Sequence, residues 1–260
     1  VTSGSLPLFR FGNLGSLPGL VHGISTRTGG VSGGRCASLN TSYSVGDDRA
    51  NVDENLSRLA ASVGAEREHL FWAYQVHGNA ATVVDADTRV EPAGGRPPRC
   101  DILLTGSTAR TLLLRYADCT PILLADPRRR AVAAVHAGWR GTAVRAASSA
   151  VKALREAFGS DARDLIAGIG PAIGPCCYAV GQEVFERFAD QPWAAATTRG
   201  GAPSLDLWEA NRRDLVDAGV PADQIESASI CTQCASDRFF SHRANGGQPA
   251  GRFAAVIRLS

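Results

Sequence analysis

Residues 102–141 read ILLTGSTARTLLLRYADCTPILLADPRRRAVAAVHAGWRG, and this stretch decides the fold. It holds four short apolar runs, at 102–104, 111–116, 122–125 and 131–135, separated by turn formers and charges. Runs of this length with such punctuation predict strands rather than helices. The run at 131–135 is apolar on both faces, as a central strand covered from two sides must be. Behind it, His136-Ala-Gly138-Trp139-Arg140-Gly141 leads into a helical pattern over 142–158. There Val144, Ala147, Val151, Leu154 and Phe158 form the stripe expected to be buried, and Gly159 ends the helix.

Working outward, residues 19–27 predict a strand, followed by a glycine-rich loop over 28–34. Asp47 or Asp48 can cap a helix running to about residue 63, with Val52, Leu56, Leu59, Ala60 and Val63 on one face. Strands are expected at 69–76 and 80–84, on either side of His77-Gly78-Asn79. Residues 89–99, with three prolines and two glycines, read as a loop or lid. Further on come a strand at 165–169, helices near 182–189 and 205–218, and strands at 225–230 and 253–259 that close the sheet. Helices and strands mix without strict alternation. The expectation is therefore one α/β (α+β) domain over 1–260, layered, with mixed sheet flanked by helices.

The bulk composition narrows the function. The chain has 260 residues and a net charge of +2, and no basic stripe suggests a nucleic-acid partner. No apolar run approaches the ~20 residues of a membrane span. Residues 1–21 lack the pattern of a secretory leader. Seven cysteines do not make a secreted disulfide framework, so a reducing, cytoplasmic setting with free thiols is expected. Lys152 is the only lysine, there is no methionine, and histidines number five.

Three segments carry the chemistry: Gln75-Val-His77-Gly78, Ala117-Asp118-Cys119 and His136-Ala-Gly138-Trp139-Arg140-Gly141. His77, Cys119 and His136 stand 42 and 17 positions apart, so no local ligand motif exists. Each lies where an expected strand ends, and strand ends are where α/β sheets build sites. Two imidazoles and one thiol, if they meet, hold one divalent metal with a position left open for water activation. The plain alternative is a hydrogen-bonded core histidine and a buried thiol. Asp118 points away from Cys119 in an extended segment, which suits it to orient a histidine, or after a bend to act as a base. The turn 139–142, at a helix start, with Arg140, suggests a phosphate site. The glycine-rich loop beginning at Arg27 is a weaker version of the same idea. Cys231-Thr-Gln-Cys234 is a lone CxxC with Cys176-Cys177 elsewhere. No second CxxC completes a structural zinc, and no thioredoxin-like unit surrounds it.

These residues resemble the YfiH-like, or laccase-domain, family. The matching stretches are Ser25-Thr-Arg-Thr-Gly-Gly-Val-Ser32, Ser38-Leu-Asn40, Val45-Gly-Asp47, Asn55, Gln75-Val-His-Gly78, Ala117-Asp-Cys119, His136-Ala-Gly-Trp-Arg-Gly141, Gly170-Pro-Ala-Ile-Gly174 and Phe239-Phe-Ser-His-Arg243. Thr41 replaces an expected leucine, and His242 stands where an aromatic is common. The resemblance implies a layered α/β fold related to cysteine-histidine toxin deamidases. It implies zinc bound by His77, Cys119 and His136, and a pocket lined by Arg27, Asn40, Gln75 and Arg140. The family has been labelled multicopper polyphenol oxidase and is associated with purine nucleoside phosphorolysis. The implied activities are phosphorolysis of adenosine, inosine and methylthioadenosine, and adenosine deamination. Purine nucleosides and phosphate are thus the expected partners, and Cys119, His136 and Asp118 the catalytic candidates.

Three further readings remain open at this stage. In one, Cys119 and His136 form a metal-free hydrolase, with an amidase role on cell-wall precursors as one form. In the second, the zinc is structural and the chain is an interaction module. The third is a copper oxidase. A multicopper cluster needs many more histidines than five, and a blue-copper site with axial methionine has none to use. A lone copper held by two histidines and a cysteine is still possible, though less favoured than zinc.

Overall fold

The computed structural model describes residues 6–88 and 97–260. Most of the proline- and glycine-rich loop read from the sequence at 89–99 therefore lies outside the described residues. The described strands are Leu8–Phe9 (β1), Leu20–Ser25 (β2), Leu70–Trp72 (β3), Ala81–Val83 (β4), Ile102–Thr105 (β5), Thr111–Tyr116 (β6), Thr120–Asp126 (β7), Ala131–Ala137 (β8), Ile166–Ile169 (β9), Ala195–Thr197 (β10), Pro203–Leu205 (β11), Ile225–Ser227 (β12) and Phe253–Leu259 (β13). They form a five-stranded sheet in the order β1-β2-β13-β6-β3 and a six-stranded sheet in the order β12-β9-β7-β8-β5-β4, with β10-β11 a separate ribbon. Both large sheets mix parallel and antiparallel pairs.

Side-chain parity explains the layering. Along β6, Leu112, Leu114 and Tyr116 enter one core, while Leu113 enters another with helix Arg49–Ser62. Along β13, Phe253, Ala255 and Ile257 take the first side and Ala254 and Val256 the second. In the other sheet, Val132 and Ala134 of β8 and Leu123 of β7 join that first core. Ala131, Ala133, Val135, Ile122 and Leu124 instead meet helices Ala146–Phe158 and Leu207–Asp217. The two sheets thus pack face to face, with helices outside both. The period of two, apolar on each side, makes this four-layer arrangement possible. Each fully buried leucine here contributes about 1.5–3 kcal/mol relative to exposure.

The expected helix to about residue 63 runs over Arg49–Ser62, with the Asp48 carboxylate accepting from the Ala50 amide at 2.9 Å. Three other expectations change. The helix read over 142–158 is broken: Trp139–Ala143 is a short helix, Arg145 adopts φ 61°, and the long helix starts at Ala146. The break is held from outside, because the Asp214 carboxylate accepts from the Ser148 amide at 2.9 Å and faces the Arg145 guanidinium at 3.6 Å. Val144 consequently leaves the buried stripe and is 48% exposed. The final strand does not close a sheet edge. β13 lies inside the five-stranded sheet, between β2 and β6, while β12 edges the other sheet. The strand read at 69–76 stops at Trp72, so His77 lies in a loop. Among the described residues no helix is long and apolar enough to cross a membrane.

Candidate active site

Two chain crossings between the sheets deliver two of the three candidate ligands. Residues 117–119 carry the chain from β6 in one sheet to β7 in the other, and Cys119 lies there. Residues 73–80 make the second crossing, from β3 to β4, and carry His77. The third ligand belongs to a strand. His136 has the parity of Val132 and Ala134, which sends its ring into the space between the sheets near the end of β8. One ligand atom from each of His77, Cys119 and His136 lies within 4.8 Å of the others. The two imidazole rings stand edge to face with centroids 4.8 Å apart.

A buried carboxylate missed in the sequence organises both histidines. Asp101 precedes β5 and is fully buried. Its Oδ1 lies 2.8 Å from His136 Nδ1 and accepts from the His77 amide at 3.0 Å. Its Oδ2 accepts from the Val76 and Gly78 amides at 3.1 and 2.7 Å. With Nδ1 of His136 engaged, Nε2 is left for a ligand. The same bonds hold His77 in its left-handed backbone conformation, φ 61°, which costs a non-glycine residue roughly 1–2 kcal/mol. Burial opposes the charge on Asp101, yet the hydrogen bonds from His136 and the Gly78 and Val76 amides outweigh it and lower its pKa.

The thiol and imidazole polarise each other. Burial works against a Cys119 thiolate, but His136 and His77 overcome this and bring its pKa down to about 6. Burial likewise works against charge on His136, while Cys119 and Asp101 raise it to about 9. Gly138 makes room for the group. A Cβ there would sit 2.8 Å from Cys119 Sγ and 3.0 Å from His77 Nδ1, too close to both. Two imidazoles and an acidified thiol fit a borderline-soft divalent cation, and three protein donors leave a coordination position free.

Asp118 does not serve the histidines. Its φ is 88°, its Oδ1 accepts from Thr232 Oγ1 at 2.7 Å and its Oδ2 from the Arg243 amide at 2.7 Å. Its carbonyl accepts from the Ile173 amide at 2.8 Å. Asp118 therefore ties the Cys119 crossing to two distant loops, and Asp101 takes the orienting role expected of it.

A cavity of about 820 Å³ opens beside the three ligands, and Arg115, Arg140, Arg243 and Arg252 reach its wall. Trp72, Tyr74 and Tyr178 supply aromatic surface. Arg140, in the short helix Trp139–Ala143, stacks over the Trp139 ring at 4.2 Å. The long helix does not supply the anion site read from the sequence, since Asp214 already occupies its first turn. Gln75 lines the cavity, but both ends of its amide pair with the Arg115 backbone at 2.8 and 2.9 Å, so it places Arg115. Arg115 Nε donates to the Thr41 carbonyl at 2.6 Å, whereas its buried Nη2 has no hydrogen-bond partner among the described residues. Asn40 and Arg27 do not line the cavity. Asn40 is buried and joins Ser42, Asp47 and the Arg252 amide. Arg27 donates to the carbonyls of Ala37 and Ser236 and lies over Phe240. Both fold the loop that follows β2.

Only one histidine-containing metal cluster forms among the described residues. His22 is buried, with its Nε2 accepting from the Phe11 amide at 2.9 Å, and His242 lines the cavity. The lone CxxC of the sequence finds company: Cys176, Cys177, Cys231 and Cys234 place their sulfurs within 4.8 Å of one another.

Residues 21–260 match the family model described as multi-copper polyphenol oxidoreductase laccase. The chain is 38% identical over 247 residues to a protein named purine nucleoside phosphorylase YlmD from Geobacillus stearothermophilus, covering 92% of this chain and 90% of that one. It is 34% identical to a purine nucleoside phosphorylase from Bacteroides thetaiotaomicron, covering 95% and 94%. The crystal structure of YlmD from Geobacillus stearothermophilus superposes with a TM-score of 0.90 at 35% identity, covering 99% of this chain and 98% of that one.

Proposed function

The chain belongs to the multi-copper polyphenol oxidoreductase laccase family, and from that premise we propose that it is a zinc-dependent purine nucleoside phosphorylase. Its substrates are adenosine, inosine or methylthioadenosine with phosphate, and its products the free base and a ribose 1-phosphate derivative. Adenosine deamination is a second activity of the same site. The observation that carries this reading is the meeting of His77, Cys119 and His136 on the wall of an arginine- and aromatic-lined cavity. The names carried by the relatives support the substrate class. The setting proposed is the reducing cytosol.

His77, Cys119 and His136 hold the zinc, which when bound supplies Lewis-acid polarisation at the cavity wall. Zinc is preferred to copper because a single centre of two histidines and a cysteine, in a chain without methionine, lacks the ligands of a multicopper cluster. Asp101 fixes the His136 tautomer. Arg140 and the Arg115 guanidinium, both at the cavity wall, attract phosphate and hold it beside the sugar. Trp72, Tyr74 and Tyr178 offer flat faces for a purine, and their bulk excludes water around it. Both Asp118 carboxylate oxygens are engaged, so Asp118 positions Cys119 and moves no proton.

A second reading rests on the opposed shifts of Cys119 and His136: a metal-free Cys-His hydrolase, with amidase action on cell-wall precursors as its form. Incubating adenosine with and without phosphate tests the first reading. Ribose 1-phosphate formed only with phosphate is expected, and inosine without phosphate marks the deaminase. Absence of both products, from protein whose zinc content Cys119→Ala leaves unchanged, would favour the hydrolase.

A further inference from the structure

We propose that Cys176, Cys177, Cys231 and Cys234 form a second zinc site, closed and structural, separate from the centre at His77. Their four sulfurs come from two chain segments and all lie within 4.8 Å of one another. Cys234 Sγ stands 3.7 Å from Cys176 Sγ and 3.4 Å from Cys177 Sγ. Four thiolates at ~2.3 Å from one zinc sit at the corners of a tetrahedron whose edge is ~3.7 Å. A cluster already near that edge length needs little movement to close on the ion. Zinc loading releases each remaining thiol proton to solvent as its Zn–S bond forms, without any redox change.

The backbone builds this cluster. Adjacent residues in an extended chain point in opposite directions, yet Cys176 and Cys177 both face Cys234. A turn makes this possible: the Cys177 and Tyr178 amides both donate to the Gly174 carbonyl, at 2.9 and 3.0 Å. Gly174 also allows the segments to approach, because a Cβ there would lie 3.2 Å from Cys231 Cβ and 2.7 Å from the Trp208 ring. Its amide donates to Cys231 Sγ at 3.3 Å, the kind of N–H···S bond that offsets thiolate charge. The second segment closes as a turn, with the Ala235 amide donating to the Cys231 carbonyl at 2.9 Å. Ala172 pairs with this segment on both sides: its amide donates to Ile230 and its carbonyl accepts from Thr232. Thr232, between the cysteines of the CxxC, is the residue that bonds Asp118. The site therefore pins the two loops that hold the Cys119 crossing. Four sulfurs leave zinc no position for substrate, which makes the role structural.

Zinc counting on the intact, reduced chain tests this. Wild-type protein prepared under reducing conditions should carry two zinc ions per chain, Cys119→Ala one, and the Cys231→Ser/Cys234→Ser pair one. Cobalt(II) replacement gives a second readout. A sulfur-to-cobalt charge-transfer band of tetrathiolate intensity should persist in Cys119→Ala and vanish in the serine pair. Alkylation of unmutated protein covers the case where the serine pair does not fold. These four thiols should be protected at every pH tested until a chelator is added, and should become reactive only then. A single zinc in wild-type protein, lost completely in Cys119→Ala, would overturn the proposal. So would disulfides joining these cysteines in the reduced preparation, or labelling that a chelator does not change. None of these results depends on whether the chain cleaves a nucleoside.

Discussion

Cys119 stands on a crossing between two sheets with imidazoles on either side, whereas Cys231 stands on a turn among three other thiols. The first group draws its donors from three distant parts of the chain and borders a cavity of about 820 Å³. The second draws them from two short turns, receives the Gly174 amide on Cys231 Sγ, and none of its four cysteines lines that cavity. Mixed donors, a missing fourth ligand and a cavity suit chemistry. Matched donors and a full set suit bracing. The same element, sulfur, is thus suited to opposite work according to what surrounds it.

The largest effect should separate the groups by readout. Cys119→Ala or His136→Ala should lower phosphorolysis on the order of 10³-fold or more, with little change in the melting temperature of the zinc-free protein. Cys231→Ser with Cys234→Ser should instead lower Tm by roughly 5 °C or more. If the serine pair abolishes turnover with no loss of Tm, the contrast fails. Next, Asp101→Asn should weaken zinc retention and turnover by roughly 10–100-fold, as expected for a group behind a metal-bound histidine. Zinc dialysis would check it, and unchanged retention would show that Asp101 is not the histidines' support.

Arg140 belongs only to the cavity side of the comparison. Arg140→Ala should raise the KM for phosphate by about tenfold or more, with a smaller effect on water-dependent deamination. Steady-state kinetics with both reactions decides this, and an equal loss would move the phosphate contact to Arg115. The mildest test compares the thiols after metal removal. Cys119, lowered to about 6 by its imidazole neighbours against the effect of burial, should be alkylated with a midpoint near pH 6. Cys176, raised by burial and neighbouring thiols, should need far more alkaline conditions. A shared midpoint would remove the electrostatic distinction between the groups.

Much of the layering was legible because both faces of the strand at 131–135 are apolar, and parity then assigns each side chain to a core. The order of strands was less so. Residues 253–259 look like any closing strand, and only their partners place β13 inside a sheet. His77, Cys119 and His136 are nominated by their places at the ends of expected strands and then by the family motifs, since their spacing carries no local signal. Asp101 was hidden because a lone acid before an apolar run usually marks a turn, and only the fold reveals four groups aimed at it. The break at Arg145 depends on Asp214, contributed by another helix. From sequence the CxxC at 231–234 is discounted because no second CxxC accompanies it; Cys176 and Cys177 supply the missing pair because a turn points both side chains one way. Arg27 and Asn40 match family motifs, but their polar groups are spent on backbone carbonyls and loop partners.

The two crossings have one more implication. His77 rides one strap between the layers and Cys119 the other, so a cation gripped by both acts as a rivet through the sandwich. Prising the layers apart would tear that rivet out. Loaded protein should then resist denaturation in proportion to the logarithm of free zinc, and the rate at which zinc escapes would act as a gauge of how often the sheets breathe.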